Sequence, residues 1–219
     1  MKQAGRIQAV LFDMDGTLID TESYYRIFWP KALAAFGYEM TDEQALSMRS
    51  LGRPFAPARL KSWFGEELDY DAVRELRKRM MEEALARDGI RLKPGAQALL
   101  AFLQEKNILR AVVTATDRER ADRYLRLTGI ESYFDCVISA TQVREGKPSP
   151  DIYQFACNQL KRKPENCFAV EDSPNGVLSA AGAGCQVIMV PDQTLPDEGL
   201  KPYLYACVDG LAQIRDLMP

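Results

Sequence analysis

Two aspartates, Asp13 and Asp15, stand one residue apart directly after an apolar run from Ile7 to Phe12. The run is typical of a buried strand, and Gly16 follows the second aspartate. Neighbouring carboxylates repel each other, which is costly unless a cation or a reaction uses the pair. A surface turn also favours Asp and Gly, but the full set of residues below favours a catalytic site.

Other side chains that can do chemistry follow later strand candidates. From residue 94 onward, strand and helix patterns alternate, which predicts an α/β fold: a Rossmann-like, mainly parallel sheet with helices on both faces. The carboxyl ends of parallel strands meet at one edge, where open sheets bind ligands. We therefore expect a cluster at this edge that contains Asp13, Asp15, Thr114, Ala115, Thr116, Lys147, Glu171 and Asp172.

Carboxylates that come together from distant parts of a chain need a cation, and oxygen-only ligation suits Mg²⁺. A lysine and a hydroxyl beside that cation would supply hydrogen-bond donors for a phosphate. The combination predicts phosphoryl transfer, in which positioning and charge neutralisation account for most of the catalysis. The chain has no histidine, which excludes Ser-His-Asp and Cys-His machinery and His-ligated zinc. Any general acid or base is therefore a carboxylate, a lysine or a tyrosine.

The elements that must position these residues can be placed from local patterns. Strands are expected at residues 110–114, 136–139, 167–170 and 186–190, with a short last one at 206–208. A helix is expected over residues 96–105. Four further signals predict helix starts: capping boxes at residues 41–44 (TDEQ) and 116–119 (TDRE), and the Ser-Pro pairs at 149–150 and 173–174.

The segment from about residue 21 to residue 88 shows helical patterns and no convincing strand. It interrupts the α/β alternation after the first strand, so we expect a discontinuous core. The predicted division is a catalytic core of residues 1–20 and 94–219 and a helical cap of residues 21–93.

Composition bounds the partners. A formal charge of −3 gives no reason to expect nucleic acid or an anionic membrane. No apolar stretch approaches the roughly 18 residues of a membrane span, and the first 16 residues are not typical of a signal peptide. The five cysteines form no CxxC pair and are expected to be reduced thiols. We expect a cytoplasmic monomer with a small-molecule substrate and no nucleic-acid or membrane partner.

Four motifs resemble those of the haloacid dehalogenase superfamily in order and in spacing. They are DMDGT at residues 13–17, the strand-end Thr114, Lys147 in GKPSPD, and EDSPNG at residues 171–176. The stretches GIESYF and AAGAGCQVIMV resemble the branch that contains β-phosphoglucomutase and many small-metabolite phosphatases.

The resemblance implies that Asp13 is the nucleophile and forms an aspartyl-phosphate. Asp15 would protonate the leaving oxygen and then deprotonate the attacking water. Mg²⁺ would be held by Asp13, by the main-chain carbonyl of Asp15 and by Asp172, with Glu171 near the metal or its waters.

The resemblance also implies a phosphate site and a cap. Thr114 and the amide of Ala115 would hold phosphate oxygens, and Lys147 would offset the negative charge. The helical segment would close over the site and select the substrate. Its candidate contacts are Thr21, Glu22, Arg49 and Arg53, whereas the cationic run 77–79 is typical of a solvated helix face.

The leading hypothesis is a Mg²⁺-dependent phosphatase that hydrolyses a small phosphorylated metabolite. The alternatives are a hexose-phosphate mutase and a catalytically inactive binding protein. Two departures from the mutase pattern favour the phosphatase: Tyr25 falls where those mutases carry a hinge histidine, and, counted from Gly52, Phe55 falls where they carry a phosphate-binding arginine. Arg49 or Arg53 could substitute for that arginine. All the catalytic positions of the motifs are intact, which disfavours an inactive protein.

Overall fold

The computed structural model describes residues 7–218. The first six residues of the predicted core and its last residue, Pro219, lie outside the described residues. The described part holds one sheet, whose strands are β1 (Ala9–Phe12), β2 (Leu109–Thr114), β3 (Cys136–Ser139), β4 (Cys167–Glu171), β5 (Gln186–Met189) and β6 (Leu204–Cys207). They lie in the order β3-β2-β1-β4-β5-β6, and every neighbouring pair is parallel. The predicted fold class is confirmed.

The strand order reverses at β1, which lies between β2 and β4. Successive strands extend from it to one side as β2 and β3 and to the other as β4, β5 and β6. At such a switch point the connections leave in opposite directions, which opens a crevice beyond the carboxyl ends of the strands. The residues that follow β1, β2 and β4 therefore face one crevice.

Eight α-helices accompany the sheet in the described residues. Four of them follow β1 directly: α1 (Glu22–Ala34), α2 (Asp42–Ser47), α3 (Phe55–Phe64) and α4 (Tyr70–Asp88). The other four are α5 (Ala96–Glu105), α6 (Arg118–Leu127), α7 (Asp151–Gln159) and α8 (Pro174–Gly182). We call the segment of α1 to α4 with its loops the helical insert. Its boundaries as a separate domain stay a prediction.

The sheet is covered on both faces, and its central strand β1 is apolar at every position. In β1, Val10 and Phe12 join the cluster beneath α5 and α6, whereas Ala9 and Leu11 join the cluster beneath α7 and α8. All four side chains are fully buried. Neighbouring residues of a strand point to opposite faces, so an unbroken apolar run is what a doubly covered parallel strand needs.

The helical insert has an apolar cluster of its own, built from residues such as Trp29, Leu33, Leu60 and Val73. Helix α4 extends beyond that cluster, against which its Met80 still packs. Its Met81 and Leu85 pack instead into the cluster under α5 and α6. Helix α4 therefore joins the insert to the core.

Local patterns place most elements within two residues of their observed bounds, but two of the predicted helix starts are wrong. The Thr41 capping box exists, with reciprocal bonds to Gln44. Thr116 does not cap α6, whose N-cap is Asp117; the Thr116 hydroxyl is drawn to the Asp15 carboxylate instead. The N-cap of α7 is Pro150, one residue beyond the predicted serine.

Main-chain atoms join the insert to the loop that carries Lys147. The amide of Gly52 donates to the Lys147 carbonyl at 2.8 Å, and the amide of Gly146 donates to the Arg53 carbonyl at 2.7 Å. A Cβ placed on Gly52 would lie 2.6 Å from the Cα of Gly146. The two loops can share these bonds because neither glycine has a side chain.

We expect Gly52→Ala to loosen this joint, since overpacking of a close contact costs about 1–3 kcal/mol. The measurement is native-state hydrogen exchange at the Gly146 amide and at the residue 52 amide. Exchange there should become about 10- to 100-fold faster, with the amides of β1 unchanged. Gly210→Ala is the matched control, because Gly210 has extended backbone and nothing within 4 Å of an added Cβ. Equal exchange rates in the two variants would contradict the steric account.

Candidate active site

The first candidate, Asp13, continues the path of β1. Its amide donates to the Val170 carbonyl of β4 at 2.9 Å, and its side chain is buried. The chain then turns at Gly16, which has φ +83°. A Cβ on Gly16 would lie 2.6 Å from Asp172 Oδ2, so only glycine lets the turn pass this close to the acid.

Lys147 links two of the acids. Its ammonium group is fully buried and contacts Asp13 Oδ1 at 2.5 Å, Glu171 Oε1 at 2.6 Å and the Val113 carbonyl at 3.0 Å. Burial alone would lower the pKa of Lys147, but Asp13 and Glu171 outweigh burial and raise that pKa. The lysine therefore carries its charge throughout the ordinary pH range. The two acids need it, because an unpaired charge in the interior is expensive.

Asp13, Glu171 and Asp172 form a buried acidic cluster whose ligand atoms lie within 4.8 Å of one another. Four of its oxygens have no hydrogen-bond partner: Asp13 Oδ2, Glu171 Oε2 and both oxygens of Asp172. Burial and the neighbouring acids raise the pKa of Asp13 well above its usual value, and burial and Glu171 raise that of Asp172 to about 8. Unpartnered oxygens with mutual repulsion fit a bound cation, so the cluster can hold a metal ion.

The carboxylate of Asp15 lies outside that cluster and is held by hydroxyl groups. Thr21 Oγ1 donates to Oδ1 at 2.6 Å, and Thr116 Oγ1 donates to Oδ2 at 2.8 Å. Thr114 Oγ1 lies 3.4 Å from Oδ2 and also accepts a bond from the Thr116 amide. A side chain with these partners is fixed in place yet keeps neutral neighbours, which suits proton transfer. Any contact of Asp15 with a metal falls to its main-chain carbonyl, which stays a prediction.

A hydrogen-bonded chain leads away from Asp15 into the insert. Tyr25 Oη lies 2.9 Å from Thr116 Oγ1 and accepts a bond from Arg120 Nη2 at 3.1 Å. The Thr116 hydrogen is directed to Asp15, so Tyr25 donates to Thr116. Burial raises the pKa of Tyr25, and the nearby Asp15 raises it further. Tyr25 therefore stays a neutral donor in the position where a mutase would have histidine.

Asp13 and Asp15 border a cavity of about 240 Å³ between the sheet edge and the insert. Asp13, Asp15 and Ala115 line it on the sheet side, and Glu22 and Arg53 line it on the insert side. Arg53 is mostly exposed and pairs with a neighbouring surface aspartate, whereas Glu22 is buried. Burial, together with Asp172 and Asp15, raises the pKa of Glu22 well above its usual value.

The sequence predicts different settings for two arginines of the insert. Arg49 is a candidate substrate contact, and the structure places it in the cavity wall, buried and 3.7 Å from Asp172 Oδ2. Arg77 was expected on a solvated helix face, and that prediction is wrong. It is buried and lines the cavity, because α1 packs across this side of α4 and covers it with aromatic rings.

Sequence reasoning missed two residues of the site. The Tyr153 hydroxyl donates to Glu171 Oε1 at 2.5 Å, and Arg120 binds Tyr25. The apolar face of α7 places Tyr153 in the core, but no local pattern indicates the partner of its hydroxyl. Thr116, which is expected at this edge because it follows the strand-end Thr114, binds Asp15.

The arrangement offers three chemical groups at one place. A buried carboxylate, Asp13, has one oxygen paired with an ammonium and one oxygen unpartnered. A second carboxylate, Asp15, is oriented by hydroxyls into the same cavity. A cation-binding cluster lies beside both. Such a site can attack an electron-poor centre, stabilise the anion that forms and exchange a proton with it.

A family model, two sequence relatives and a solved structure are all similar to this chain over most of its length. A model of the haloacid dehalogenase-like hydrolase family matches residues 7–184, which include β1 to β4. A phosphorylated carbohydrates phosphatase of Thermotoga maritima is 33% identical over 184 residues, 83% of this chain and 84% of that protein. Hexitol phosphatase A of Escherichia coli is 32% identical over 185 residues, 84% of this chain and 83% of that protein. The crystal structure of CbbY from Rhodobacter sphaeroides in complex with phosphate is similar with a TM-score of 0.79 and 29% identity, covering 95% of this chain and 96% of that one.

We expect Tyr153→Phe to destabilise the protein by about 1–3 kcal/mol, because Glu171 Oε1 loses a buried donor while Lys147 remains. The measurement is urea unfolding followed by circular dichroism. Tyr203→Phe is the matched control, since the Tyr203 side chain is exposed; it should stay within about 0.5 kcal/mol of the native protein. If the two variants unfold at the same urea concentration, the Tyr153 hydroxyl does not support Glu171.

Proposed function

The chain belongs to the haloacid dehalogenase-like hydrolase family, and we propose that it is a Mg²⁺-dependent phosphatase that hydrolyses a small phosphorylated metabolite. It is an enzyme, a phosphoric monoester hydrolase. The family resemblance read from the four sequence motifs is confirmed.

One observation carries the assignment of chemistry: Asp13 and Asp15 enter the same cavity in different electrostatic settings. Asp13 belongs to the acidic cluster and contacts an ammonium group, which supports the proposed role of nucleophile. Asp15 is outside the cluster and held by neutral hydroxyls, which supports the proposed role of acid and base. Two carboxylates in distinct environments are what a double-displacement hydrolysis needs.

In the first step, a carboxylate oxygen of Asp13 attacks phosphorus and the bond from phosphorus to the ester oxygen breaks. Asp15 gives its proton to that oxygen, so the alcohol leaves neutral. In the second step, Asp15 takes a proton from a water molecule, whose oxygen attacks the aspartyl-phosphate. The phosphorus–Asp13 bond breaks, inorganic phosphate is released and both carboxylates return to their initial states.

The remaining groups neutralise and orient. Lys147 offsets charge on Asp13 while the phosphoryl group is attached, and the Ala115 amide and the Thr114 hydroxyl bind phosphate oxygens. Asp13, Asp172, Glu171 and the Asp15 carbonyl would hold Mg²⁺. When bound, the ion supplies positive charge at the phosphoryl oxygens, which lowers the repulsion between phosphate and carboxylate.

We assign the helical insert, residues 21–93, the role of a cap over the core of residues 1–20 and 94–219. Glu22 and Arg53 line the insert side of the cavity and are proposed as substrate contacts. We also keep a monomer as the proposed state and the cytoplasm as the proposed location. No helix among the described residues is long and apolar enough to cross a membrane.

The mutase alternative has less support than the phosphatase. The curated relatives named above are phosphatases by name, and Tyr25 replaces the hinge histidine expected of the mutases. In this chain Tyr25 binds Thr116 and thereby supports Asp15. Water remains able to use Asp15 as its base, which favours hydrolysis over retention of the phosphoryl group.

The function is tested with a panel of phosphate esters, with and without Mg²⁺, by measuring release of inorganic phosphate. Asp13→Asn should lower kcat by at least about a thousandfold on every ester that the native protein hydrolyses, because the nucleophile is lost. Asp209→Asn, an exposed aspartate, is the matched control and should leave kcat unchanged. Interconversion of sugar phosphates that requires a bisphosphate activator would instead indicate a mutase, and no turnover on any ester would contradict the proposal.

The division of roles is tested by Mg²⁺ binding in two variants. Asp172→Asn removes a ligand of the cluster and should weaken Mg²⁺ binding by at least about tenfold. Asp15→Asn should leave Mg²⁺ affinity mostly intact while slowing both chemical steps, since its expected metal contact is main-chain. Calorimetric titration with Mg²⁺ measures both affinities. Equal losses in the two variants would show that the Asp15 side chain is a ligand.

A further inference from the structure

The cavity beside Asp13 is lined by an unusual number of cations for its size. Five arginines reach it, all of them from the insert or from α6: Arg49, Arg53, Arg74, Arg77 and Arg120. A volume of about 240 Å³ fits a small molecule only. These guanidinium groups therefore lie close to whatever part of a substrate extends beyond its phosphate.

Four of these arginines have a carboxylate partner. Arg53 pairs with Asp71, Arg74 with Asp117 at 2.9 Å, Arg120 with Glu82 at 3.4 Å, and Arg49 with Asp172 at 3.7 Å. A carboxylate at such a distance offsets the charge of each guanidinium. None of these four therefore requires an anionic ligand on grounds of charge alone.

Arg77 is different. It is only 4% exposed, and among residues 7–218 no carboxylate lies within 4.0 Å of its guanidinium. Buried arginines are rare unless they are paired, because the charge loses its hydration. Burial accordingly lowers the pKa of Arg77 from its ordinary value.

The residues around Arg77 hold its guanidinium group in place but do not supply oxygen acceptors for its N–H groups. The guanidinium carbon lies 4.7 Å from the ring centres of Tyr25 and of Trp29, so both contacts involve aromatic faces. Its Nη1 has only the sulfur of Met81, at 3.5 Å, and its Nε has no acceptor. Guanidinium carries five N–H donors in a planar fork that matches the oxygens of a carboxylate or a phosphate.

A neighbouring arginine that lines the same cavity has a spare donor. Arg120 uses Nη2 to bind Tyr25, its Nε lies 3.4 Å from Glu82 Oε1, and its buried Nη1 has no hydrogen-bond acceptor. Tyr25 contacts both arginines, through its ring face to Arg77 and through its hydroxyl to Arg120. The two cations therefore flank one aromatic side chain in the cavity wall.

We propose that Arg77, with Arg120 beside it, binds a second anionic group of the substrate, at the end remote from the phosphate that Asp13 attacks. The substrate class is then a small phosphomonoester that also carries a carboxylate or a second phosphate. This inference rests on the proposed phosphatase function and narrows its substrate. A phosphomonoester without a second anionic group would leave the buried charge of Arg77 without an anionic partner.

The test compares matched substrate pairs that differ only in the second group. The carboxylate arm uses 3-phosphoglycerate against glycerol 3-phosphate, and the phosphate arm uses glucose 1,6-bisphosphate against glucose 1-phosphate. The native protein should prefer the doubly anionic member of at least one pair by about tenfold or more in kcat/KM. The pair that shows the preference identifies the group. If the native protein shows equal kcat/KM for the two members of both pairs, the inference is overturned, and no variant is needed to decide this.

Variants then assign the preference to Arg77. Arg77→Met should lower kcat/KM for the preferred doubly anionic ester by about 10- to 100-fold, mainly through KM, because a charge-assisted hydrogen bond is lost. Its kcat/KM for the neutral partner should fall by much less, so that the preference between the two members shrinks by about tenfold or more. A merely structural defect would lower kcat/KM equally for both members and leave the preference intact. Arg77→Lys keeps the charge and should restore part of the preference. Arg79→Met, on the exposed side of α4, is the matched control and should behave as the native protein does.

Failure of the inference and failure of the proposed function give different results. If p-nitrophenyl phosphate and all four esters stay intact, the proposed phosphatase function is wrong and the substrate class falls with it. If the neutral esters are hydrolysed as well as their anionic partners, the phosphatase stands and only the anion site is wrong. An equal loss on both members of a pair in Arg77→Met would likewise overturn the assignment to Arg77.

Discussion

The architecture of the site depends on one buried ammonium group. Lys147 contacts Asp13 and Glu171 at 2.5 and 2.6 Å with no exposure to solvent. Removing one partner of such a buried ion pair costs about 3–5 kcal/mol, because the other charge is left uncompensated. Cation binding requires all three acids to be ionised, and one lysine then leaves the cluster with two negative charges in excess, with Arg49 reaching only Asp172 from 3.7 Å. A divalent cation and the unpartnered oxygens of the cluster are therefore complementary in charge and in chemistry.

Sequence reasoning located the core of the site because topology constrains it strongly. Once strands and helices alternate, the sheet must be mainly parallel and the strand ends must share one edge. Asp13, Thr114 and Asp172 could be brought together on that argument alone, although they lie far apart in the chain. The position of Lys147 is harder to predict from topology, because Lys147 lies in a loop. It is identified as a site residue by the motif GKPSPD around it.

The misplaced residues share one cause, which is that their partners are distant in sequence. Arg77 lies in a strongly polar helix, and only the packing of α1 on α4 shows that its side is covered by Tyr25 and Trp29. Thr116 fits a capping box by local pattern, yet its hydroxyl binds Asp15, a residue 101 positions earlier. Local energies of about 1 kcal/mol for a cap are readily overridden when a buried carboxylate needs a donor.

The bonds between Gly52 and Lys147 and between Gly146 and Arg53 are made by peptide groups alone. Their geometry is therefore indifferent to the identity of almost every side chain on the insert, the two glycines excepted. Substitutions can remodel the residues that face the cavity, as long as these backbone contacts persist, while Lys147 keeps its alignment. Such a separation between backbone docking and side-chain recognition gives a scaffold on which specificity can change without rebuilding the site.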